Sequence, residues 1–441
     1  MQRYRKPETG CPDGVLLWEN SVIFVDQNFD SMVKKPGVKT LIIAGTIGLL
    51  LGASSPLWGQ ISVRELKGGD LNTINTAVPF ITIAPDSRAG SMGDAGVASR
   101  ADINSQHWNV AKYPFIEGDG GMAISYTPWL RKIIPDINLA YLAGYFKPTR
   151  EQVVSGSLRY FSLGSITFTD IEGVPWGQFT PFEMALDAGY SRLFTDNFSG
   201  GIAFRYIHSN LTSGQLINGE ESKPGISVAA DLGFYYENDF RLDGKPGVWA
   251  AGINFSNMGT PISYTADAQN VPIPTNLRLG GRFEYELDDY NTMTLLLDIN
   301  KLMVPTPPEY AEDTVTGDLE VIRGVEPPES VVLGMIQSFW DAPGIKYDDG
   351  SYSSRLTEEL AEIMFSVGAE YWYRDQFAIR AGYFHEHYTK GNRKYATLGI
   401  GLKLNVFQLD FSYLVPTNGQ ESPLANTLRF TLGFDFDSLN L

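Results

Sequence analysis

Three stretches near the C-terminal end decide the fold: KYATLGIGLKL (394–404), FQLDFSYLV (407–415) and LRFTLGFDF (428–436). In the second, Phe407, Leu409, Phe411, Tyr413 and Val415 alternate with Gln408, Asp410 and Ser412. In the third, Leu428, Phe430, Leu432, Phe434 and Phe436 alternate with Arg429, Thr431, Gly433 and Asp435. Side chains of a β-strand point alternately to its two faces, so each stretch is a strand with one apolar face and one polar or charged face. Two folds fit that pattern. In a sandwich the charged face meets outside water, whereas in a membrane barrel it lines the lumen and the apolar face meets lipid. Periodicity alone does not separate them.

Connection lengths do. Fourteen candidate strands run from 120–129 to 426–436, including 152–169, 224–236, 248–255, 363–373 and 377–386. One set of connections is short (147–151, 195–197, 288–290, 374–376, 405–406), with 238–247 its one longer member. The other set is long: 170–182, 212–223, 256–274, 302–362 and 416–425. Short turns at one end and long loops at the other mark an outer-membrane barrel, and closure removes the edges that an open sheet of this size would expose. Trp129, Tyr236, Trp372, Tyr373 and Tyr383 near strand ends suit interfacial girdles. The expected fold is all-β: a 14-stranded antiparallel transmembrane β-barrel.

Ahead of the strands, residues 79–114 read PFITIAPDSRAGSMGDAGVASRADINSQHWNVAKYP, with neither strand nor helix period. Gly90, Ser91, Gly93 and Gly96 permit close backbone approach. A compact small-residue segment before a strand meander is expected to be an N-terminal plug in the lumen. Its candidate residues are Pro85, Asp86, Arg88, Gly90, Gly93, Asp94, Gly96 and Asn109. Asp86, Arg88 and Asp94 are expected to pair with lumen charges such as Asp410, Arg429 or Asp435, because buried charges need partners.

Further upstream, VKKPGVKTLIIAGTIGLLLGASSPLWGQ (33–60) has a basic start (Lys34, Lys35, Lys39), an apolar core at 41–51 and small residues before Gln60. This is the tripartite pattern of a secretory signal, with a core too short for a membrane anchor. Met32 is read as the true start, giving a non-native leader at 1–31, a signal peptide at 32–59, a plug-bearing segment at 60–118 and the barrel at 119–437. The single cysteine, Cys11, excludes an intrachain disulfide. A net charge of −17 argues against a nucleic-acid partner, which requires a basic surface.

The 302–362 connection opens on a stiff VPTPPEY and continues through Glu309, Glu312, Asp313, Asp318 and Glu320. SVVLGMIQSFW (330–340) then sets Val332, Met335, Ile336, Phe339 and Trp340 on one helical face, with Ser330 as N-cap and Asp341-Ala-Pro-Gly as stop. A second helix is expected at 354–364. A loop this long in a compact domain is usually functional or disordered, and its amphipathic helix favours function.

With these features in place, the chain resembles the FadL-like outer-membrane barrels and, within them, the PorV family of the Bacteroidetes type IX secretion system. The resemblance rests on the 80–98 run, Trp108-Asn-Val-Ala-Lys-Tyr, Gly368-Ala-Glu-Tyr-Trp-Tyr, Gly391-Asn-Arg-Lys-Tyr, the 405–414 block and Asn426-Thr-Leu-Arg-Phe. It spans about residues 70 to 437, and Val110 stands where the family usually carries proline. It implies a non-catalytic protein that binds the C-terminal domains of secreted cargo and carries cargo from a SprA-like translocon to a PorU-like attachment complex. The alternative is a FadL-type channel for hydrophobic small molecules.

Chemical motifs are otherwise sparse. Gly90-Ser-Met-Gly-Asp-Ala-Gly lacks the Lys-Ser/Thr ending and helix of a phosphate loop. His385-Glu-His387 sets two imidazoles on one strand face, but no third ligand is evident. No nucleophile–base arrangement is legible among four histidines and a thiol-free mature chain. No cofactor, metal or catalytic residue is therefore assigned.

Overall fold

The computed structural model describes residues 71–436 apart from 130–135, 170–171, 173, 213–215, 218–219, 266–269, 313–317 and 418–426. The expected leader and signal peptide lie outside the described residues, as do parts of several long connections.

Fourteen antiparallel strands close into one barrel. They are β1 (Gly120–Pro128), β2 (Ile137–Thr149), β3 (Gln152–Leu163), β4 (Phe182–Thr195), β5 (Phe198–Asn210), β6 (Gly225–Leu242) and β7 (Lys245–Gly259). The rest are β8 (Asn276–Asp288), β9 (Asn291–Leu302), β10 (Met364–Tyr373), β11 (Phe377–His385), β12 (Lys394–Leu404), β13 (Phe407–Pro416) and β14 (Leu428–Asp435). Every strand pairs with its sequence neighbour, and β1 pairs with β14 from Gly121↔Asp435 to Tyr126↔Phe430. Within the barrel, no edge is left for another chain to extend.

Burial follows the two-residue period, with polarity reversed from that of a soluble protein. Asp187, Arg205, Asp231, Arg282, Glu370, Arg380, Asp410 and Arg429 are buried, while Leu186, Phe204, Ile379, Leu398, Leu409 and Phe430 are exposed. Lipid as the outer solvent accounts for this: every strand backbone group is satisfied by its neighbours, and apolar side chains meet acyl chains at no cost.

Two strand boundaries differ most from the sequence reading. The 238–247 connection closes as a two-residue turn, with Leu242 opposite Lys245. Asp243 and Gly244 both have positive φ (53° and 80°), the twist-compatible geometry that an Asp-Gly pair supplies, so β6 and β7 run further than their apolar alternation. Conversely, 152–169 is not one strand. The barrel strand stops at Leu163, Gly164 turns the chain at φ 84°, and Ile166–Thr169 pairs with Pro175–Phe179 in a separate hairpin.

Candidate functional site

Residues ahead of β1 pack against the inward faces of the strands. Two single-turn helices, α1 (Ser87–Gly90) and α2 (Ser105–Trp108), punctuate this segment. Asp86 caps α1: its Oδ2 accepts from Ala89 N at 2.9 Å, and its Oδ1 accepts from Trp108 Nε1 at 2.7 Å. Pro85, Gly90, Gly93 and Gly96 are buried beside it. Asn109 Oδ1 accepts from Ala111 N, while its Nδ2 donates to Val97 O and to Phe234 O on β6. The residue after it, Val110, begins a 3-10 turn, so the absence of proline there leaves the turn intact.

Burial sets the titration of this segment. It lifts the Asp86 carboxyl to about 6, with the Asp102 charge adding to the rise, and it lowers the Lys112 ammonium to about 8. Lys112 Nζ is satisfied by Gly96 O (2.8 Å) and Ser99 Oγ (2.9 Å). His107 is held well below its usual value by burial and then by the charge of Arg159, which contacts its Nδ1 at 2.7 Å.

The charges meet the wall differently from the sequence expectation. Arg88 reaches Glu370 on β10 through Nη2 (2.8 Å) and Asp102 through Nη1 (3.0 Å). Arg380 on β11 also binds Glu370 (2.6 Å) and then Asp410 on β13 (2.6 Å). The result is a buried alternating chain, Asp102–Arg88–Glu370–Arg380–Asp410. Asp94 lies 3.8 Å from Arg429, the one expected pair that forms. Asp86 makes no ion pair among the described residues, because its oxygens are taken by the α1 cap and the Trp108 indole. Glu370 and Arg380 were missed as site residues. The alternation that places Glu370 beside Tyr371 and Trp372 already put it on the polar face, but nothing in the sequence pairs it with Arg88.

The 303–363 connection is the second candidate region. It carries a hairpin (Glu309–Glu312 with Leu319–Arg323), α3 (Val331–Gln337) and α4 (Arg355–Ala361). Ser330 and Ser354 cap the two helices. Helix α3 is shorter than the 330–340 reading. It ends at Gln337, so Phe339 and Trp340 follow its last turn. Val332 (62%), Ile336 (51%), Phe339 (43%) and Trp340 (50%) are exposed, whereas Met335 is half-buried. Gly334 is the buried face of α3, packed against Pro305 and Pro328.

The other side of the connection is tied to the barrel mouth by ions. Lys390 Nζ reaches Glu358 (2.6 Å) and Glu362 (3.0 Å), and Lys301 on β9 reaches Glu359 (3.1 Å) and Glu362. Glu358 also accepts from Gly344 N at 2.6 Å, and Glu359 from Ala342 N at 3.0 Å. The exposed apolar residues reach this anchor, because Lys301 Nζ lies over the Phe339 ring at 5.6 Å from its centroid. The two histidines of 385–387 do not share a strand face. Strand β11 ends at His385, and His387 turns to Thr389 in the following connection.

A family model described as Type IX secretion system protein PorV matches residues 67–309. Among solved structures, the P. putida toluene transporter TodX is similar over 83% of this chain and 99% of its own, at 11% identity and a TM-score of 0.45. The Ralstonia pickettii toluene transporter TbuX is similar over 79% and 97%, at 10% identity and 0.40. A Pseudomonas aeruginosa FadL homologue is similar over 84% and 100%, at 11% identity and 0.35. No curated protein matches.

Proposed function

The chain belongs to the PorV family of type IX secretion system proteins, and on that footing we propose that this outer-membrane barrel is a carrier that binds secreted cargo and partner machinery through its 303–363 connection. The cargo would be recognised through its C-terminal domain and passed from a SprA-like translocon to a PorU-like attachment complex. The role is binding, with no catalysis.

The observation that carries this reading is the exposure of apolar side chains. Val332, Ile336, Phe339 and Trp340 are each exposed on a connection that buried ion pairs fix to the barrel. Apolar patches rimmed by polar residues mark interaction sites, and large aromatics dominate the affinity of such surfaces. The connection holds 13 acidic and three basic residues over 303–363, which would steer a basic partner surface towards it. The segment around 79–114 would act as a plug, closing the lumen to free solute flow.

The test is Phe339→Ala combined with Trp340→Ala. Neither residue lies in a strand, so the barrel should assemble and shift on heating in gels as wild type does. Co-purification with the translocon and with cargo should fall at least tenfold. Wild-type recovery of both partners would make the connection a lid and return weight to a channel for hydrophobic small molecules.

A further inference from the structure

Four carboxylates and two ammonium groups are buried where the 303–363 connection meets the barrel mouth: Asp341, Glu358, Glu359 and Glu362 with Lys301 and Lys390. Three of the acids take the two lysines, as described above. The fourth, Asp341, is 0% exposed and joins no ion pair among the described residues. Its Oδ2 accepts from Thr306 N at 3.2 Å, and its Oδ1 has no partner among the described residues. Thr306 ties it to the cluster, because Thr306 Oγ1 donates to Glu362 Oε1 at 2.6 Å. Phe339 and Trp340 immediately precede Asp341 in the chain.

The charges around Asp341 are unbalanced. Glu359 and Glu362 act on it from α4, and Lys301 acts on it from β9, where both of these glutamates already share that lysine. The other ionic groups of the joint are engaged elsewhere. Glu358 takes Lys390, Asn72 Nδ2 (3.1 Å) and Gly344 N. Lys346 pairs with Glu309 at 3.0 Å, and Arg323 Nε donates to Pro343 O at 3.2 Å. If all were ionised, four carboxylates would meet two lysines, and the surplus would fall on the one acid that has no cation. Burial first, then the charges of Glu359 and Glu362, lift the Asp341 carboxyl from 3.8 to about 7, against the Thr306 amide, which lowers it.

We propose that Asp341 is a proton-operated latch that holds the 303–363 connection closed on the barrel mouth. With its carboxyl protonated, the joint is stable as packed. Ionised, it is repelled by Glu359 and Glu362 and carries an unsolvated oxygen, and both terms favour a local opening that frees Phe339 and Trp340. The closed joint holds this proton more tightly than the open one, so closure is firmest below 3.8 and weakens as pH rises through about 7. The latch rests on the packing of Asp341 and is independent of what the aromatic pair binds.

The test is hydrogen exchange of the full chain in a maltoside detergent, with protection corrected for the intrinsic pH dependence of exchange. Between about pH 5 and about pH 8, protection at Thr306, Ala342 and Gly344 should fall at least tenfold while that of β10 stays constant. Asp341→Asn should remove the pH response at these amides. Glu359→Gln, which deletes a charge that raises Asp341, should move the fall to lower pH, and it decides the matter even if Asp341→Asn fails to fold. Protection that is flat with pH in the wild type would overturn the proposal. So would a full response that survives Asp341→Asn, a fall left in place by Glu359→Gln, or an equal loss of protection in β10.

Discussion

Gly382 on β11 lies directly against Gly93 of the internal segment. A Cβ added to Gly382 would fall on Gly93 N, and one added to Gly93 would lie 2.6 Å from Tyr383 N. Gly93 also has φ 68°, so two conditions require glycine there: left-handed backbone and contact with a strand. Gly368 and Gly399 on the adjacent strands give similar room to Met92 and Ser91.

Gly382→Val should therefore displace the segment while leaving the wall closed. Overpacking of this kind costs about 1–3 kcal/mol. The variant should still fold, as read by heat-modified gel migration, and should show raised conductance in planar bilayers. Deleting 79–114 should raise conductance further. Conductance unchanged in both would place the barrier to solute elsewhere.

Glu370→Ala leaves Arg88 and Arg380 buried beside an empty position, although Asp102 and Asp410 still hold one bond each. Breaking a buried network by removing its shared partner costs about 3–5 kcal/mol. The exposed pair Arg192–Glu151, 3.8 Å apart, is the control. Glu151→Ala should cost less than about 1 kcal/mol. Urea unfolding in detergent should separate the two variants clearly, and equal midpoints would remove the network from any account of stability.

Asp86 makes a pH prediction. Its carboxyl sits at about 6 in the folded protein, above its ordinary 3.8, so the folded state holds this proton more tightly than the unfolded state does. Its contribution is most favourable below 3.8 and is lost as pH rises through 6. The stability difference between wild type and Asp86→Asn should thus shrink as pH climbs from 4 to 7. The substituted amide carries no titrating proton, so it is a reference whose own contribution at this site does not change over this pH range. A difference that is flat across this range would show that the carboxyl does not titrate there.

Lys390→Ala removes one of two cations serving Glu358, Glu359 and Glu362. Lys301 still pairs with Glu359 and Glu362, but buried Glu358 loses its lysine partner. The 303–363 connection should loosen while the barrel persists. Hydrogen exchange should accelerate in α4 and at Ala342 and Gly344, whose amides bond to these glutamates, and stay unchanged in β10 and β11. Uniform acceleration would mean that the anchor stabilises the whole barrel.

The sequence by itself determined the barrel. Lipid outside and a polar interior force a two-residue alternation, and the stretches 407–415 and 428–436 print it, with inward Leu414 as the exception in the first. Chain economy at one end forces the short turns, so strand number and antiparallel order were readable from the chain alone. The sequence also marked the apolar residues of 330–340 and the cap Ser330, because capping and apolar spacing are local properties. The tertiary structure alone decided which buried charges meet. Arg88 and Glu370 stand 282 positions apart, and alternation says only that both face inward. Of the inward arginines, Arg380 makes ion pairs with two carboxylates and Arg159 with none among the described residues, a difference set by barrel register and by where the internal segment lies. Strand ends likewise depended on geometry beyond composition: Asp243-Gly244 closes a tight turn through positive φ, and Gly164 breaks a run whose alternation continues past it.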